Sequence, residues 1–269
     1  MMSVQLDGLL MAMSSISLEE MGAVRLMNST DTKFVTTMPR LLRLLGMASS
    51  EYRVQEVDGI RNIPYYTLYF DTQDDAMFRV HQAGHWVRQK VRMRSYVNSH
   101  LNFLEVKTKN NHKRTKKRRM ALEDFMLEDR QESILFRSQD ERYKSYESFL
   151  CKTLKYDPRT LVEAVENRFH RITLVNRAMT ERLTIDQGLQ FHCMQTDGHA
   201  ALENVVVIEL KRDGTVASPV LKMLRELHIH QQGFSKYCVG RALTNHTLRI
   251  NRLKERLRMV DRMECSLAV

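Results

Sequence analysis

Basic residues occupy every second position of the segment VRQKVRMR, residues 87–94. Alternate residues of a β-strand lie on one face, so one side of this strand would carry Arg88, Lys90, Arg92 and Arg94. Side chains two positions apart are roughly 6.6 Å from each other, which means about 2.5 kcal/mol of repulsion per pair at an effective dielectric constant of about 20. The spacing therefore predicts a bound polyanion that offsets this repulsion.

Four further segments divide into a charged face and an apolar face in the same way. Their charged or polar positions are Glu105, Lys107 and Lys109; Thr115, Lys117 and Arg119; Arg182, Thr184 and Asp186; and Glu209 and Lys211. An ordinary antiparallel sheet with one face in water shows this alternation. A barrel that turns its charged faces into a polar tunnel, with helices on its apolar outside, shows it as well. Five mostly basic strands favour the barrel, because a solvated face usually has less bias towards one sign.

A basic interior of this kind favours phosphate chemistry. Arginine binds phosphate oxygens through two parallel hydrogen bonds, and lysine supplies a compact charge. A carboxylate on such a face, Glu209 above all, suits Mg²⁺ or Mn²⁺ that bridges phosphate oxygens. Phosphoryl transfer requires in-line geometry, a divalent metal and positive charge around the transferred group. For Asp186, the shared strand face predicts an ion pair with Arg182 rather than metal binding.

The positive charge of the chain is concentrated in one region. The 269 residues have a formal net charge of +10, and residues 88–119 contain twelve lysines and arginines against one acid, Glu105. This concentration predicts a polyanionic partner, which leaves nucleic acid, a membrane surface and phosphorylated small molecules as candidates. The four cysteines are far apart and indicate neither a zinc site nor a disulfide scaffold. Together with the lack of a long apolar segment, they predict a cytoplasmic protein without its own membrane helix.

Hydrophobic patterning predicts one α+β domain built around a large antiparallel sheet. Residues 1–27 have the apolar spacing of a helical extension, and residues 247–269 that of a basic amphipathic helix. The segment MFRVHQ, residues 77–82, is predicted to be a strand, followed by a hairpin turn in QAGH, residues 82–85. Residues 123–153 are predicted to be helical.

A series of short motifs occurs in an order that is typical of one family. The motifs are DTKFV, YFDT followed by VRQKVRMRSY, FLEVKTK, RITLVNR with ERLTID, VVIELK and GFSKY. From about Asp31 to Leu243, the chain resembles the VTC (vacuolar transporter chaperone) polyphosphate polymerase domain of the CYTH, or triphosphate tunnel metalloenzyme, superfamily. The resemblance implies an antiparallel β-barrel tunnel over residues 28–246, with helices packed outside and a helix closing one tunnel mouth. It also implies transfer of the terminal phosphate of ATP to a growing polyphosphate chain, with Mn²⁺ or Mg²⁺ as the metal.

The resemblance implies roles for individual residues. The set that grips phosphate during catalysis comprises Lys33, Arg92, Arg94, Lys107, Arg171, Arg182 and Lys236. Further substrate contacts are expected from Arg88, Lys90, Lys117, Arg119, Lys211, Ser235 and Tyr237. Glu209 corresponds to the metal-binding glutamate. The first strand departs from the superfamily pattern, because Ser29 and Asp31 stand where two glutamates are usual.

Three other functions stay open from the sequence. Members of the same superfamily hydrolyse tripolyphosphate or nucleoside triphosphates, and a non-catalytic domain would only bind polyphosphate, pyrophosphate or inositol phosphates. The third is nucleic-acid binding through KRTKKRR, residues 113–119, although its place among the strands favours a tunnel entrance. The basic C-terminal helix is expected to pack on the barrel, the alternative being contact with a membrane-protein partner at the inner face of a membrane.

Overall fold

A computed structural model describes residues 2–22, 29–112, 114–122, 141–214 and 216–266 of the chain. Within these ranges an eleven-stranded sheet is covered by helices. The predicted α+β class with a large antiparallel sheet is therefore confirmed.

The bounds of the elements follow the chain order. The strands are β1 (Ser15–Ile16), β2 (Ser29–Thr37), β3 (Tyr52–Gln55), β4 (Ile63–Thr72), β5 (Arg88–Tyr96), β6 (Leu101–Lys109), β7 (Thr115–Leu122), β8 (Leu161–Asn176), β9 (Glu181–Cys193), β10 (His199–Leu202) and β11 (Val205–Asp213). The helices are α1 (Met2–Ala12), α2 (Leu18–Gly22), α3 (Met38–Ala48), α4 (Ala76–Gln82), α5 (Glu141–Thr153), α6 (Pro219–Glu226), α7 (Lys236–Thr244) and α8 (Lys254–Cys265).

The main sheet runs in the order β2, β11, β9, β8, β4, β5, β6, β7, and each pair of neighbours is antiparallel. Strands β10 and β3 add to β9 and β8, and β1 pairs with β3 in parallel. The end strands β2 and β7 are not hydrogen-bonded to each other in the described ranges, so backbone pairing does not close the predicted barrel. The sheet nevertheless curves around a cavity, because Lys107 on β6 and Glu209 on β11 line the same space.

The apolar faces of the strands are covered by helices, as the alternation predicts. On β5, Val91 and Met93 are fully buried in a cluster that includes Met77 of α4 and Leu150 of α5. On the other side of the molecule, α1, α3 and α6 pack against β2, β9 and β11, with Ile208 among the buried residues. Full burial of one such side chain contributes about 1.5 to 3 kcal/mol, so these faces hold the sheet in place.

The segment MFRVHQ forms helix α4, so the predicted strand and the hairpin turn after it are wrong. The reason is a side-chain contact from the end of β4, six residues before Met77. There the buried Asp71 carboxylate accepts hydrogen bonds from the backbone N–H groups of Met77 (2.8 Å) and Phe78 (2.9 Å). An acid at this position satisfies donors of the first helical turn and complements the helix dipole.

The terminal regions contain helices where the patterning predicts them. Helices α1 and α2 lie within residues 2–22, and α8 lies within the predicted basic C-terminal segment. Of the predicted helical region 123–153, α5 is observed, and residues 123–140 lie outside the described ranges. No helix in the described part of the chain is both long enough and apolar enough to cross a membrane.

Candidate functional site

A cavity of about 1360 Å³ lies on the concave side of the sheet. Two carboxylates, Asp31 and Glu209, face it together with nine lysines and arginines among the described residues. The cations are Lys33, Arg88, Lys90, Lys107, Lys109, Arg114, Lys211, Arg252 and Arg256. A concave surface lined by one sign of charge concentrates ligands of the opposite sign. The cavity is therefore built to attract a multiply charged anion.

One wall of the cavity comes from β2 and β11. Glu209 lies directly opposite Lys33 in the strand register, and the two side chains form an ion pair. Two residues farther along β11, Lys211 lies opposite Asp31, and its Nζ is 3.9 Å from Asp31 Oδ1. Burial by itself would raise the pKa of Glu209, but Lys33, Lys107 and Arg171 together outweigh it and lower this pKa to about 2. Glu209 is thus ionised throughout the physiological pH range.

The opposite wall comes from β5 and β6, where Lys90 and Lys107 face each other in register. Like charges directly opposite on neighbouring strands destabilise a sheet. Lys90 Nζ donates to Ser235 Oγ at 3.0 Å, and it forms no ion pair with a carboxylate of the described residues. Burial lowers the pKa of Lys90 to about 7, and repulsion from Lys107 and Arg88 adds to this effect. Binding of an anion between Lys90 and Lys107 would therefore reduce the repulsion within this wall.

Farther along the same face of β5, Arg92 has a protein partner. Its Nε and Nη2 atoms lie 2.7 Å and 2.5 Å from Glu105 Oε2 on β6. Lys117 Nζ on β7 reaches the other oxygen of Glu105 at 3.0 Å. Although burial opposes ionisation, Arg92, Arg94 and Lys117 lower the pKa of Glu105 to about 2. The one acid of this basic region thus neutralises its buried neighbours.

Arg94, the next cation on β5, is buried without an acidic partner. Its Nε atom donates to Thr67 Oγ1 at 3.4 Å, and its guanidinium lies over the Tyr65 ring, 5.7 Å from the centroid. No carboxylate of the described residues forms an ion pair with it. Burial lowers the pKa of Arg94 to about 10, and repulsion from Arg92 and Arg171 contributes. A buried unpaired charge is costly, so Arg94 is a strong candidate for an anion contact.

A third cluster joins β8, β9 and α7. Arg171 lies opposite Asp186 in the register and binds both of its oxygens, at 2.6 Å and 2.7 Å. Lys236, at the start of α7, forms a second ion pair with Asp186. These two cations outweigh the effect of burial and hold the pKa of Asp186 well below its usual range. Burial lowers the pKa of Lys236 to about 8 despite the attraction to Asp186.

The predicted pairing of Asp186 with Arg182 is therefore wrong. Residues four apart on one strand are about 13 Å apart along the chain direction, whereas Arg171 sits directly across the strand boundary. Arg182 instead lies opposite Lys211 and does not line the cavity.

Comparison with protein families decides the relationship that the motifs suggest. The profile of the VTC domain matches residues 28–245, which is most of the chain. The chain belongs to the VTC domain family. A comparison with curated proteins finds no match.

Solved structures similar to this VTC domain include a candidate adenylyl cyclase from Hippeastrum with a dominant triphosphatase activity. It shares 16% identity at a TM-score of 0.46, over 80% of this chain and 96% of that chain. Another is a candidate adenylate cyclase from Vibrio parahaemolyticus, with 12% identity and a TM-score of 0.40 over 77% of this chain and 94% of that chain.

The VTC domain places the sequence-predicted site residues in three groups. The first lines the cavity and comprises Lys33, Arg88, Lys90, Lys107, Lys211, Glu209 and Ser235. The second comprises Arg92, Arg94, Arg171 and Lys236, which lie outside the cavity lining and are largely buried on β5 and β8 and at the start of α7. The third does not line the cavity and comprises Lys117, Arg119, Arg182 and Tyr237. The contribution of the first two groups to catalysis stays a prediction.

Tyr237 is the clearest departure from the expected substrate contacts. Its side chain is buried in the core, and its hydroxyl donates to Asp71 Oδ2. Its ring packs against Tyr69, with the centroids 5.3 Å apart. The residue after Lys236 on a helix points about 100° away from it, which turns Tyr237 into the core. Tyr237 thus joins α7 to the carboxylate that caps α4.

Sequence reasoning missed the contribution of the C-terminal region to the cavity. Arg252, in the 3-10 turn before α8, donates to the carbonyl of Ala83 and lines the cavity beside Gly84. Arg256 in α8 lines it as well. The basic, amphipathic pattern of this segment was compatible with packing on the sheet, but only the tertiary fold shows which arginines reach the site.

The cavity has oxygen donors for a divalent metal, though few. No three His, Cys, Asp or Glu donor atoms come together there among the described residues. Glu209 and Asp31 supply carboxylates on neighbouring strands. Mg²⁺ typically binds one or two carboxylates and completes its coordination with substrate phosphates and water. The residues therefore fit a metal ion that binds together with a phosphate ligand.

Proposed function

We propose that this VTC domain is a polyphosphate polymerase, which transfers the terminal phosphoryl group of ATP to a growing polyphosphate chain and releases ADP. Family membership supports the proposal, and one observation of the structure carries it. The cavity presents nine cations against two carboxylates, which is more positive charge than a single triphosphate group neutralises. A polyphosphate chain matches such a surface, because each of its phosphates carries about one negative charge and can pair with one cation.

In this proposal both walls of the cavity bind the phosphate chain. Lys90 and Lys107 hold the phosphates from the β5 and β6 side, and Lys33 holds them from β2. Arg94, buried farther along β5, would neutralise phosphate charge that reaches beyond the residues lining the cavity. Because these side chains are fixed by strands and by buried neighbours, they stabilise the charge of the transition state without having to reorganise.

The transfer is a displacement at the γ-phosphorus of ATP. A terminal oxygen of the polyphosphate forms the new P–O bond, the bond from the γ-phosphorus to the β–γ bridging oxygen breaks, and that oxygen keeps the electron pair in ADP. Glu209, with Asp31, would hold the divalent metal, which supplies charge neutralisation on the phosphate oxygens when it is bound. Lys33 and Lys107 then face the transferred group from opposite walls.

In the unliganded cavity, nearby cations hold Glu209 in its ionised form. A pKa of about 2 makes its carboxylate a poor general base for activating water, because an effective base titrates near the working pH. A terminal phosphate oxygen is already anionic and needs no such base. The proposed transfer therefore gives Glu209 no role as a general base.

The test is to incubate the purified chain with ATP and Mn²⁺ and to size the products on a gel that resolves polyphosphate. The proposal predicts long polyphosphate and ADP. Release of free phosphate alone would show a triphosphatase, and tight polyphosphate binding without turnover would show a sensor. Equal affinity for DNA and polyphosphate would instead support a nucleic-acid-binding domain.

A matched pair of variants separates the cavity from the general basic surface. Lys107→Gln removes a charge that faces the cavity, whereas Arg119→Gln removes one that lies over the Phe103 ring, outside it. The proposal predicts that the first variant loses at least about tenfold in polyphosphate affinity, since a charged hydrogen bond contributes about 1.5 to 3 kcal/mol. The second should bind as the wild type does.

A further inference from the structure

Two histidines and an aspartate meet at the hairpin between β9 and β10. His192 lies directly opposite His199 in the register, and their rings are stacked with centroids 4.2 Å apart and planes at 3°. Both Nε2 atoms approach the same oxygen of Asp197 in the turn, at 2.7 Å from His192 and 3.5 Å from His199. In the described ranges these three residues are the only group whose metal-ligating atoms lie within 4.8 Å of one another.

A carboxylate lies behind this cluster, close to one of its histidines. Glu166 on β8 lies opposite His192, and its Oε1 is 3.8 Å from His192 Nδ1. The Tyr66 hydroxyl donates to the other oxygen of Glu166 at 3.1 Å. A carboxylate near Nδ1 favours the tautomer with its proton there, which leaves the Nε2 lone pair free. At 3.8 Å the contact is too long for a hydrogen bond, so Glu166 acts on this imidazole through its charge, and a closer approach would give the usual carboxylate–histidine–metal arrangement.

We propose that His192, Asp197 and His199 form a Zn²⁺ site, separate from the basic cavity. Two imidazole nitrogens and one carboxylate suit Zn²⁺, which is commonly held by three protein ligands and a water. The required bond lengths are about 2.0 to 2.2 Å, and the ligand atoms already lie close enough for side-chain rotation to reach them. The side chains of Asp197 and His199 are largely exposed, so the ion enters from solvent.

The turn between β9 and β10 contacts the C-terminal end of α7. Thr196 Oγ1 donates to the carbonyl of Thr244, the last residue of α7, at 2.9 Å. Gly198 contacts the same carbonyl so closely that a Cβ atom there would lie 2.1 Å from it. The turn therefore supports the end of the helix whose start carries Lys236. A metal that fixes the turn should raise the thermal stability of the whole chain, because ligands of the folded state stabilise it.

The experiment is a calorimetric titration of the full chain with Zn²⁺ at pH 7.5, in the absence of nucleotide and phosphate. Because thiols also bind zinc, the background replaces the two exposed cysteines, Cys151 and Cys265, with serine. We expect one Zn²⁺ per chain and an increase in melting temperature. His199→Ala should weaken binding at least about tenfold, and Glu166→Gln about tenfold, as loss of an outer carboxylate does.

The control is His246→Ala, which removes an exposed histidine outside the cluster and should leave the affinity unchanged. Absence of stoichiometric binding would overturn the proposal, and so would equal affinities of the His199→Ala and His246→Ala variants. With Co²⁺ in place of Zn²⁺, the absorption spectrum should show nitrogen and oxygen ligands. Intense thiolate bands would place the metal elsewhere. No outcome depends on the polymerase assay, so the two proposals can fail separately.

Discussion

Lys33 on β2 and Glu209 on β11 lie opposite each other in the strand register and form an ion pair at the wall of the basic cavity. Both side chains remain 31% exposed, so a ligand can reach them. The pair keeps the carboxylate ionised and the lysine in place. In the proposed function, a bound phosphate chain would give Lys33 a second anion to contact and would free Glu209 to hold a metal.

Glu209→Gln tests the role of this carboxylate. The amide has nearly the same shape, but it neither pairs with Lys33 nor binds a divalent metal well. We expect kcat for phosphoryl transfer to fall by about 10²-fold or more, as when one electrostatic element of an active site is removed. Affinity for polyphosphate without metal should rise, because a negative charge leaves the cavity. Rates of ADP release and calorimetric titration measure the two effects.

The matched control for this variant is Glu226→Gln on the outer helix α6, where the side chain is 51% exposed. It should change neither rate nor affinity. An unchanged rate in Glu209→Gln would remove this residue from the mechanism.

Arg94→Met tests whether an unpaired buried cation is kept for a ligand. Taking one ion out of water costs roughly several kcal/mol in a protein, and an apolar side chain of similar volume does not incur this cost. We therefore expect a higher free energy of unfolding in urea without ligand, together with about tenfold or greater loss of polyphosphate affinity. Arg119→Met, at an exposed site on β7, is the control. A variant that is less stable and binds normally would refute the assignment.

The pH dependence of binding should follow Lys90, because burial lowers its pKa from 10.5 to about 7. Phosphate contact requires the protonated form, so affinity for polyphosphate should fall as the pH rises through 7. Binding above pH 7 should also take up a proton, which calorimetry in buffers of different ionisation enthalpy detects. The variant Lys90→Met should bind more weakly and lose this proton uptake.

The stability of the unliganded protein should change in the opposite direction. Between pH 7 and 10.5 the unfolded chain binds more protons at Lys90 than the folded chain does. Stability rises with pH wherever the unfolded state binds more protons, so this residue destabilises the fold most below pH 7. Comparing urea unfolding of wild type and Lys90→Met at pH 6 and pH 8.5 isolates the contribution. An equal difference at both pH values would contradict it.

The sequence predicted the strands of the site well because their alternation is local. On β5, Val91 and Met93 are buried, and the alternate positions carry the cations. Of these, Arg88 and Lys90 line the cavity. On β11, Ile208 is likewise buried and Glu209 lines the cavity. Alternation fixes which face a side chain occupies, and the excess of basic residues indicates what that face binds.

The errors came from side-chain contacts and strand register, which the hydrophobic pattern does not specify. Helix α4 is seven residues long, and its apolar pattern is compatible with a strand; the Asp71 carboxylate that stabilises its first turn comes from β4. Asp186 pairs with Arg171 because of the register between β8 and β9, which no local pattern specifies. Tyr237 turned out to be buried because α7 rotates it into the core.

Arg256→Gln tests the unexpected part of the site, where α8 reaches the cavity. Arg256 acts on the half-buried His81 together with Arg88 and Lys90, whereas the cations that act on Glu209 are Lys33, Lys107 and Arg171. We therefore expect Arg256 to contact phosphates away from Glu209, which only a long ligand reaches. The affinity for long polyphosphate should fall severalfold, and that for tripolyphosphate should stay the same. The control Arg258→Gln, two residues on and exposed, should bind both as the wild type does. Equal losses for both chain lengths would place Arg256 at the reaction centre instead.

Following the γ-phosphate of ATP tests most directly whether the chain is a polyphosphate polymerase. The purified chain is incubated with γ-³²P-labelled ATP, Mn²⁺ and a short polyphosphate primer, and label in polymer, free phosphate and ADP formed are counted together. A polymerase that uses the basic cavity should place the label in polymer, with one ADP released per phosphate added, and Glu209→Gln should abolish this. Label that appears only as free phosphate, or polymer labelling that survives in Glu209→Gln, would contradict the account.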